Sequence, residues 1–147
     1  MSTQDKTLEE WIAYHDSKEP SPFKRDERYK LLYRAGQGFC ELGVSGNMAI
    51  IKDMCGNIHF WREVIEQFAR ELNLPICGAG CCRKILPYIR LLGFRIDEVE
   101  NTPNGNKYYC TDKKTGQRAE CSPACIMPNG ILAYLVTWRV NADEDKI

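Results

Sequence analysis

The residues with the most obvious chemical potential in this sequence are its eight cysteines, several of which are closely spaced. Two pairs have the spacing Cys-x-x-x-Cys, in the segments "CGAGC" (77–81) and "CSPAC" (121–125). Thiolates at such spacing can bind structural zinc, and Cys82 and Cys110 could supply further ligands. A single buried cysteine behaves instead as a small hydrophobic residue. The spacing alone leaves both interpretations open.

The segment "ICGAGCC" (76–82) can also be interpreted as a strand. In an extended strand, Cys77 and Cys81 would lie about 13 Å apart on one face. Two thiolates that share one zinc ion bind it at about 2.3 Å each, so a regular strand and a zinc site exclude each other here. Gly78 and Gly80 weaken a strand unless another group must approach its backbone closely. We favour the strand without a metal ion, and a zinc-stabilised interaction module is an alternative.

Composition indicates a globular chain and argues against two classes of partner. The 147 residues are 44% hydrophobic and 27% charged, which suits one domain with its own core. Lys plus Arg and Asp plus Glu both total 20, so the positive surplus typical of a nucleic-acid binder is missing. The sequence shows no run of about 18 apolar residues and no signal-peptide segment. We therefore expect a cytoplasmic protein without nucleic-acid or membrane partners.

Hydrophobic periodicity predicts a helix, a linker and three strands before residue 57. Thr7 is the predicted N-cap of a helix over "TLEEWIAYHDSKEP", and His15 continues its apolar stripe. Residues 20–28 are a charged, proline-marked linker, so we assign residues 1–28 to an N-terminal helix and linker. The segments "YKLLYRA", "GFCELGV" and "NMAIIKDM" then predict three strands separated by glycine turns.

The strongest helical pattern spans residues 58–72. Arg62 is predicted to lie on another face, where i, i+4 spacing to Glu66 supports the helix weakly. A strand at "PICGAG", a shorter helix ending at Gly93 and four more strands would complete a domain over residues 29–140, followed by a solvated tail at 141–147. The predicted apolar face of the long helix comprises Trp61, Ile65, Phe68 and Leu72.

This order of elements resembles the GNAT acetyltransferase superfamily. The resemblance is strongest over residues 47–97, through "ARELNLPI" after the long helix and "YIRLLGFRI" at the end of the next. The chain is most similar to divergent, compact GNAT-like proteins of bacteriophage and bacterial genomes. The resemblance implies an α/β protein of the α+β kind, with a mixed, mostly antiparallel sheet and flanking helices in a single domain. It implies transfer of an acetyl group from acetyl-CoA to an amine of a protein or small molecule.

The resemblance also implies where the cofactor binds. In this family, a central strand leads to a turn at the N-terminus of the long helix, whose backbone N–H groups receive the pyrophosphate. Here "NMAIIKDM" is that strand and "CGNIHFW" that turn, with Gly56 permitting close approach. The family has Arg or Gln and Gly or Ala where this chain has Asp53 and Ile58. The implied acetyl-CoA-binding residues are Ile51, Lys52, Asp53, Met54, Cys55, Gly56, Asn57, Ile58 and Cys82.

Three residues are the catalytic candidates that follow from the resemblance. The family often has a tyrosine four residues before the glycine of its "GF" pair, as the acid that protonates the leaving thiolate. Ile89 holds that place here, and Tyr88 lies one residue, or about 100° of helix, earlier. Glu41 and His59 are the candidate general bases. An alternative function is that of a GNAT-shaped binding or inhibitory protein without catalysis, such as a phage might direct against its host.

Overall fold

The computed structural model describes residues 6–18, 22–82, 84–127 and 130–140. The helices are α1 (Leu8–Lys18), α2 (Ile58–Glu71) and α3 (Ile85–Leu91). The strands are β1 (Lys30–Arg34), β2 (Gly38–Ser45), β3 (Met48–Gly56), β4 (Ile76–Cys81), β5 (Phe94–Thr102), β6 (Gly105–Asp112), β7 (Arg118–Ile126) and β8 (Leu132–Arg139). The predicted tail at 141–147 lies outside the described residues. None of the described helices has the length and apolar character that a membrane span requires.

The eight strands form one sheet in the order β1-β2-β3-β4-β8-β7-β6-β5. Only β3 and β4 pair in parallel, because α2 carries the chain from one end of the sheet back to the other between them. The predicted fold class, an α+β protein with a mixed, mostly antiparallel sheet and flanking helices, is confirmed. The strand predicted at "PICGAG" (75–80) is also confirmed, as β4 (Ile76–Cys81).

The absence of a side chain at Gly78 has a packing reason. A Cβ atom there would lie 2.4 Å from the sulfur of Met48 and 3.3 Å from a methyl group of Leu135. Side chains from the two neighbouring strands therefore occupy the space beside this glycine. At Gly80 the nearest atom to an added Cβ would be the carbonyl oxygen of Lys52 at 3.4 Å, an ordinary contact. We expected another group to approach the strand backbone closely at both glycines. Such an approach is found at Gly78, where side chains of the two neighbouring strands lie against the backbone.

Helix α2 is rotated relative to its predicted apolar face. Trp61 and Ile65 are buried as predicted, but Phe68 is only half-buried and Leu72, which follows the helix, is 51% exposed. The prediction for Leu72 is wrong because Ala69 and the side chain of Arg62 take the inward positions instead. The small Ala69 side chain lets α2 approach the sheet closely.

Arg62 is the second correction on α2, since the sequence placed it on a face other than the apolar one and the structure buries it. Its guanidinium donates to the carbonyl oxygen of Leu92 at 2.7 Å and to the carboxylate of Asp112, and lies 4.6 Å from the Phe94 ring centroid. Burial alone would raise the pKa of Asp112, but hydrogen bonds, first among them those from Arg62, hold it below its usual value. Arg62 therefore joins α2 to the start of β5 and the end of β6.

The N-terminal helix is packed onto the sheet. Thr7 is confirmed as its N-cap: the Thr7 hydroxyl accepts from the Glu10 N–H at 3.2 Å, and the Glu10 carboxylate accepts from the Thr7 N–H at 3.1 Å. Trp11 packs with Phe39 and Phe23 in a second hydrophobic cluster. Because Phe23 belongs to the predicted linker, the described part of that linker (22–28) is packed against the domain.

Candidate functional site

Strands β3 and β4 are paired along only part of their length. Their last paired residues are Ile51 and Ala79, although both strands continue beyond this point. Residues 52–56 of β3 and 80–81 of β4 therefore face each other without forming a ladder. We call this opening the splay.

A β-bulge marks the point at which the splay begins. On the other side of β3, Leu42 lies opposite Ile51, whereas Glu41 lies opposite Asp53. Lys52 is therefore an extra residue on β3. A bulge of this kind bends its strand and increases the local twist. The bend directs the end of β3 away from β4, which explains why the two strands separate here.

The turn between β3 and α2 is organised by the carbonyl oxygen of Gln37. This oxygen accepts from the Asn57 N–H at 2.9 Å and from the indole N–H of Trp61 at 2.9 Å. Gly56 has a φ of +108°, and a Cβ atom there would lie 2.2 Å from the same oxygen. Asn57 caps α2 by accepting from the Phe60 N–H at 3.2 Å. The start of α2 is thus held firmly against the turn before β2.

A cavity of about 920 Å³, here called the large cavity, lies at the start of α2. Lys18, His59 and Lys84 contribute nitrogen-bearing side chains to its wall, and none of the described residues that line it is an aspartate or glutamate. The N–H groups of Ile58 and His59, in the first helical turn, have no intrahelical acceptor. The lining residues are Tyr14, His15, Lys18, Cys55, Gly56, Asn57, Ile58, His59, Cys82, Lys84, Pro87, Leu91 and Ile131.

A second, much smaller space of about 20 Å³, the narrow gap, lies within the splay. Its volume is enough for about one water molecule. His15 and Cys82 line both this gap and the large cavity, so the two spaces adjoin at these residues. The residues that line the narrow gap are His15, Lys52, Asp53, Met54, Gly80, Cys81, Cys82 and Tyr88.

The structure brings all but one of the predicted cofactor-binding residues to these two spaces. Ile51 is the exception, since it is buried in the core as the last residue of β3 that pairs with β4. Asp53, acidic where the family has Arg or Gln, lines the narrow gap and lies outside the wall of the large cavity. Those in the large cavity are Cys55, Gly56, Asn57 and Ile58, those in the gap are Lys52, Asp53 and Met54, and Cys82 lines both.

Two of the predicted catalytic residues lie at these spaces, in different surroundings. Tyr88 is buried in the narrow gap, where its hydroxyl donates to the carbonyl oxygen of Gly80 at 3.3 Å. Ile89, in the place of the family's tyrosine, is fully buried in the core. His59 lines the large cavity with its side chain 64% exposed and forms an ion pair of 3.3 Å with Glu63 when protonated. Only Tyr88 therefore lies inside the splay.

Glu41, the third predicted catalytic residue, lines neither space. It is fully buried, and its Oε2 atom accepts from the guanidinium of Arg25 and the N–H of Asp26, both at 2.7 Å. Its Oε1 atom has no hydrogen-bond partner among the described residues and lies 3.9 Å from the ammonium of Lys52. Glu41 therefore ties segment 22–28 to the sheet beside the bulge.

Three nitrogen-bearing side chains of the site, those of His15, Lys18 and Lys84, were not found by sequence reasoning. His15 and Lys18 lie on α1, which the sequence assigned to a separate N-terminal unit, and Lys84 lies just before α3. The place of His15 on the apolar stripe of α1 did indicate its burial, which is confirmed. Nothing in the local pattern indicated which part of the sheet α1 would cover.

Six of the eight cysteines are buried. Burial raises the pKa of Cys40 and of Cys77 to about 12, and that of Cys110 to about 11. Zinc binds thiolates, so such surroundings disfavour metal binding at these positions. Within the described ranges, no three His, Cys, Asp or Glu side chains are arranged to share a metal ion. That the chain binds no metal stays a prediction.

No family model matches this chain, and no curated protein matches it. Among solved structures, the chain is similar to the ribosomal-protein-S18-alanine N-acetyltransferase from Escherichia coli. The TM-score is 0.46 at 12% sequence identity, and the match covers 92% of this chain and 90% of that chain. At this level, the likeness carries no argument about activity.

Proposed function

We propose that this chain is an N-acetyltransferase of the GNAT kind, which transfers the acetyl group of acetyl-CoA to an amine of a protein or small molecule in the cytoplasm. The observation that carries the proposal is the splay, which begins at the Lys52 bulge and leads directly to the capped start of α2. An extended ligand could pair with strand edges between β3 and β4 while its anionic end meets the helix N-terminus.

The residues present fit acetyl-CoA in size and in charge. The large cavity, at about 920 Å³, is at the upper end of the range for small-molecule sites. Lys18, Lys84 and the N–H groups of Ile58 and His59 would hold the phosphates, with no described carboxylate in the same wall. Edge groups of the splay would hold the amides of the pantetheine arm. When bound, acetyl-CoA supplies an acetyl group activated as a thioester.

The chain's own contribution would be to position an amine against that thioester. Tyr88 lines the narrow gap, where its hydroxyl donates to the carbonyl oxygen of Gly80 on β4, and it is the proposed acid for the leaving sulfur. The small volume of the narrow gap supports a site from which bulk water is excluded.

Calorimetric titration of acetyl-CoA into the wild-type chain and two charge-reversal variants tests the proposal. Lys84→Glu should weaken binding about tenfold or more, because it turns an attractive charge at the cavity into a repulsive one. Lys30→Glu is the matched control on the edge strand β1, outside the large cavity, and should change affinity less than about twofold. If the wild type binds no acetyl-CoA at millimolar concentration, the transferase proposal gives way to the GNAT-shaped binding protein.

A further inference from the structure

His15 lies beside both spaces of the site, which neither of the predicted general bases, Glu41 and His59, does. It lies on α1 with only 6% of its side chain exposed, and its ring centroid is 6.1 Å from that of Phe23 and 5.8 Å from that of Phe39. Among the described residues, only His15 and Cys82 line both the large cavity and the narrow gap. The imidazole is therefore held by packing at the junction between the proposed cofactor cavity and the splay.

Asp16 fixes which nitrogen of this imidazole carries the proton. The Nδ1 atom of His15 lies 3.1 Å from the Oδ1 atom of Asp16, which also accepts from the Phe23 N–H at 2.7 Å. The hydrogen bond from Phe23, and then that from His15, hold the pKa of Asp16 below its usual value. An ionised carboxylate only accepts hydrogen bonds, so the proton of neutral His15 resides on Nδ1.

The other ring nitrogen of His15 is left with a free lone pair. Nε2 has no hydrogen-bond partner among the described residues. It is also not among the fully buried polar atoms that lack a partner, which means that the atom is not fully buried. It therefore keeps some exposed surface, in a residue that lines both spaces. A packed imidazole with one nitrogen oriented by a carboxylate and the other without a hydrogen bond, beside a cavity, has the arrangement of a general base.

We propose that His15 is the general base of the transfer and that Asp16 is its positioning residue, an inference that rests on the acetyltransferase function proposed above. His15 would take a proton from the acceptor amine through Nε2 as the amine nitrogen forms a C–N bond to the acetyl carbon. The C–S bond breaks with its electron pair on sulfur, which takes a proton from Tyr88. Tyr88 recovers a proton from His15 through the one water molecule that the narrow gap can hold, so that an amine and a thioester give an amide and a thiol.

The surroundings favour His15 over the two bases named from the sequence. His59 is largely exposed and lines the large cavity but not the narrow gap, and Glu41 lines neither space. Three lysines and one aspartate line the two spaces, and the carboxylate of Asp16 contacts the His15 ring itself. The ionisable groups that share its walls are Tyr14, Lys18, Lys52, Asp53, Cys55, His59, Cys81, Cys82, Lys84 and Tyr88.

Steady-state kinetics with variants test the role of His15. The assay follows CoA thiol released from acetyl-CoA in the presence of spermidine, tyramine or a lysine peptide. His15→Gln should bind acetyl-CoA within about twofold of wild type by calorimetry, because its change lies in proton transfer. Its kcat should fall about 10²-fold or more, and the acid limb of the pH profile should disappear. In His59→Gln the acid limb should stay at the same pH as in the wild type. In Asp16→Asn it should move to a different pH.

A second measurement on the wild-type chain holds even if His15→Gln does not fold. The chain has two histidines, so the ¹⁵N imidazole spectrum can be assigned with His59→Gln alone. Neutral His15 should carry its proton on Nδ1, and acetyl-CoA should shift its Nε2 signal. A proton on Nε2, or a folded His15→Gln that keeps the acid limb and turnover within about threefold, would overturn the proposal. Absence of acetyl-CoA binding by the wild type would instead reject the proposed function.

Discussion

At the scale of single residues, Gly56 is required by the protein's own turn. The sequence resemblance assigned this glycine to close approach by a phosphate group. In the structure, the atom nearest to an added Cβ is the carbonyl oxygen of Gln37 at 2.2 Å, and the φ of +108° disfavours any residue with a side chain. Because the same oxygen accepts from Asn57 and Trp61, a side chain at Gly56 would disturb the start of α2 directly.

Gly56→Ala should therefore destabilise the chain far more than Gly46→Ala. Both glycines have positive φ, but an added Cβ at Gly46 (φ +61°) would meet nothing within 4 Å. We expect a loss of about 1 kcal/mol for Gly46→Ala from backbone strain alone. Overpacking against Gln37 should add about 1–3 kcal/mol at Gly56. Urea unfolding of the two variants measures the difference, and equal losses would show that the Gln37 contact is not restrictive.

At the scale of elements, α2 is fixed to the sheet by a buried ion pair as well as by its apolar residues. Arg62 donates to Asp112 and to Glu66, and Glu66 in turn accepts from the indole N–H of Trp138 at 2.8 Å. These residues come from α2, β6 and β8, so the network joins the helix to the half of the sheet that β5 to β8 form. It explains why an arginine takes the inward position that the periodicity assigned to apolar residues.

Arg62→Met should cost about 3–5 kcal/mol in the free energy of unfolding, since it leaves the buried Asp112 carboxylate without its cation. Arg70→Met is the control on the exposed face of the same helix and should change stability by about 0.5 kcal/mol or less. The stabilisation belongs to ionised Asp112, whose pKa is lowered in the folded state. It is present at neutral pH and lost as pH falls through that lowered value.

The difference between the two variants should consequently shrink in acid. Denaturant unfolding of both variants at neutral and acidic pH checks this. If Arg62→Met lowers the free energy of unfolding no more than Arg70→Met does, the network has no stabilising role. If the loss in Arg62→Met does not depend on pH, the part assigned to Asp112 is wrong.

At the scale of the whole molecule, the sequence predicted local structure better than tertiary placement. The helices and strands were predictable because hydrophobic periodicity and glycine-marked turns are local signals. The order of these elements along the chain then indicated the fold class. The bulge at Lys52 has no such signal, because no glycine or proline stands there. The burial of Arg62 depends on Asp112, fifty positions away. The place of His15 in the site depends on where α1 docks, which its own amphipathic pattern does not specify.

Hydrogen–deuterium exchange of the wild-type chain, with and without saturating CoA, tests the central claim most directly. If the splay holds the pantetheine arm and the start of α2 holds the phosphates, exchange should slow in residues 51–59 and 79–84. Residues 94–112, which form the far end of the sheet, should exchange at the same rate with and without CoA. If CoA binds to saturation but slows exchange only in other residues, or leaves exchange in residues 51–59 and 79–84 unchanged, the assignment of this site is wrong.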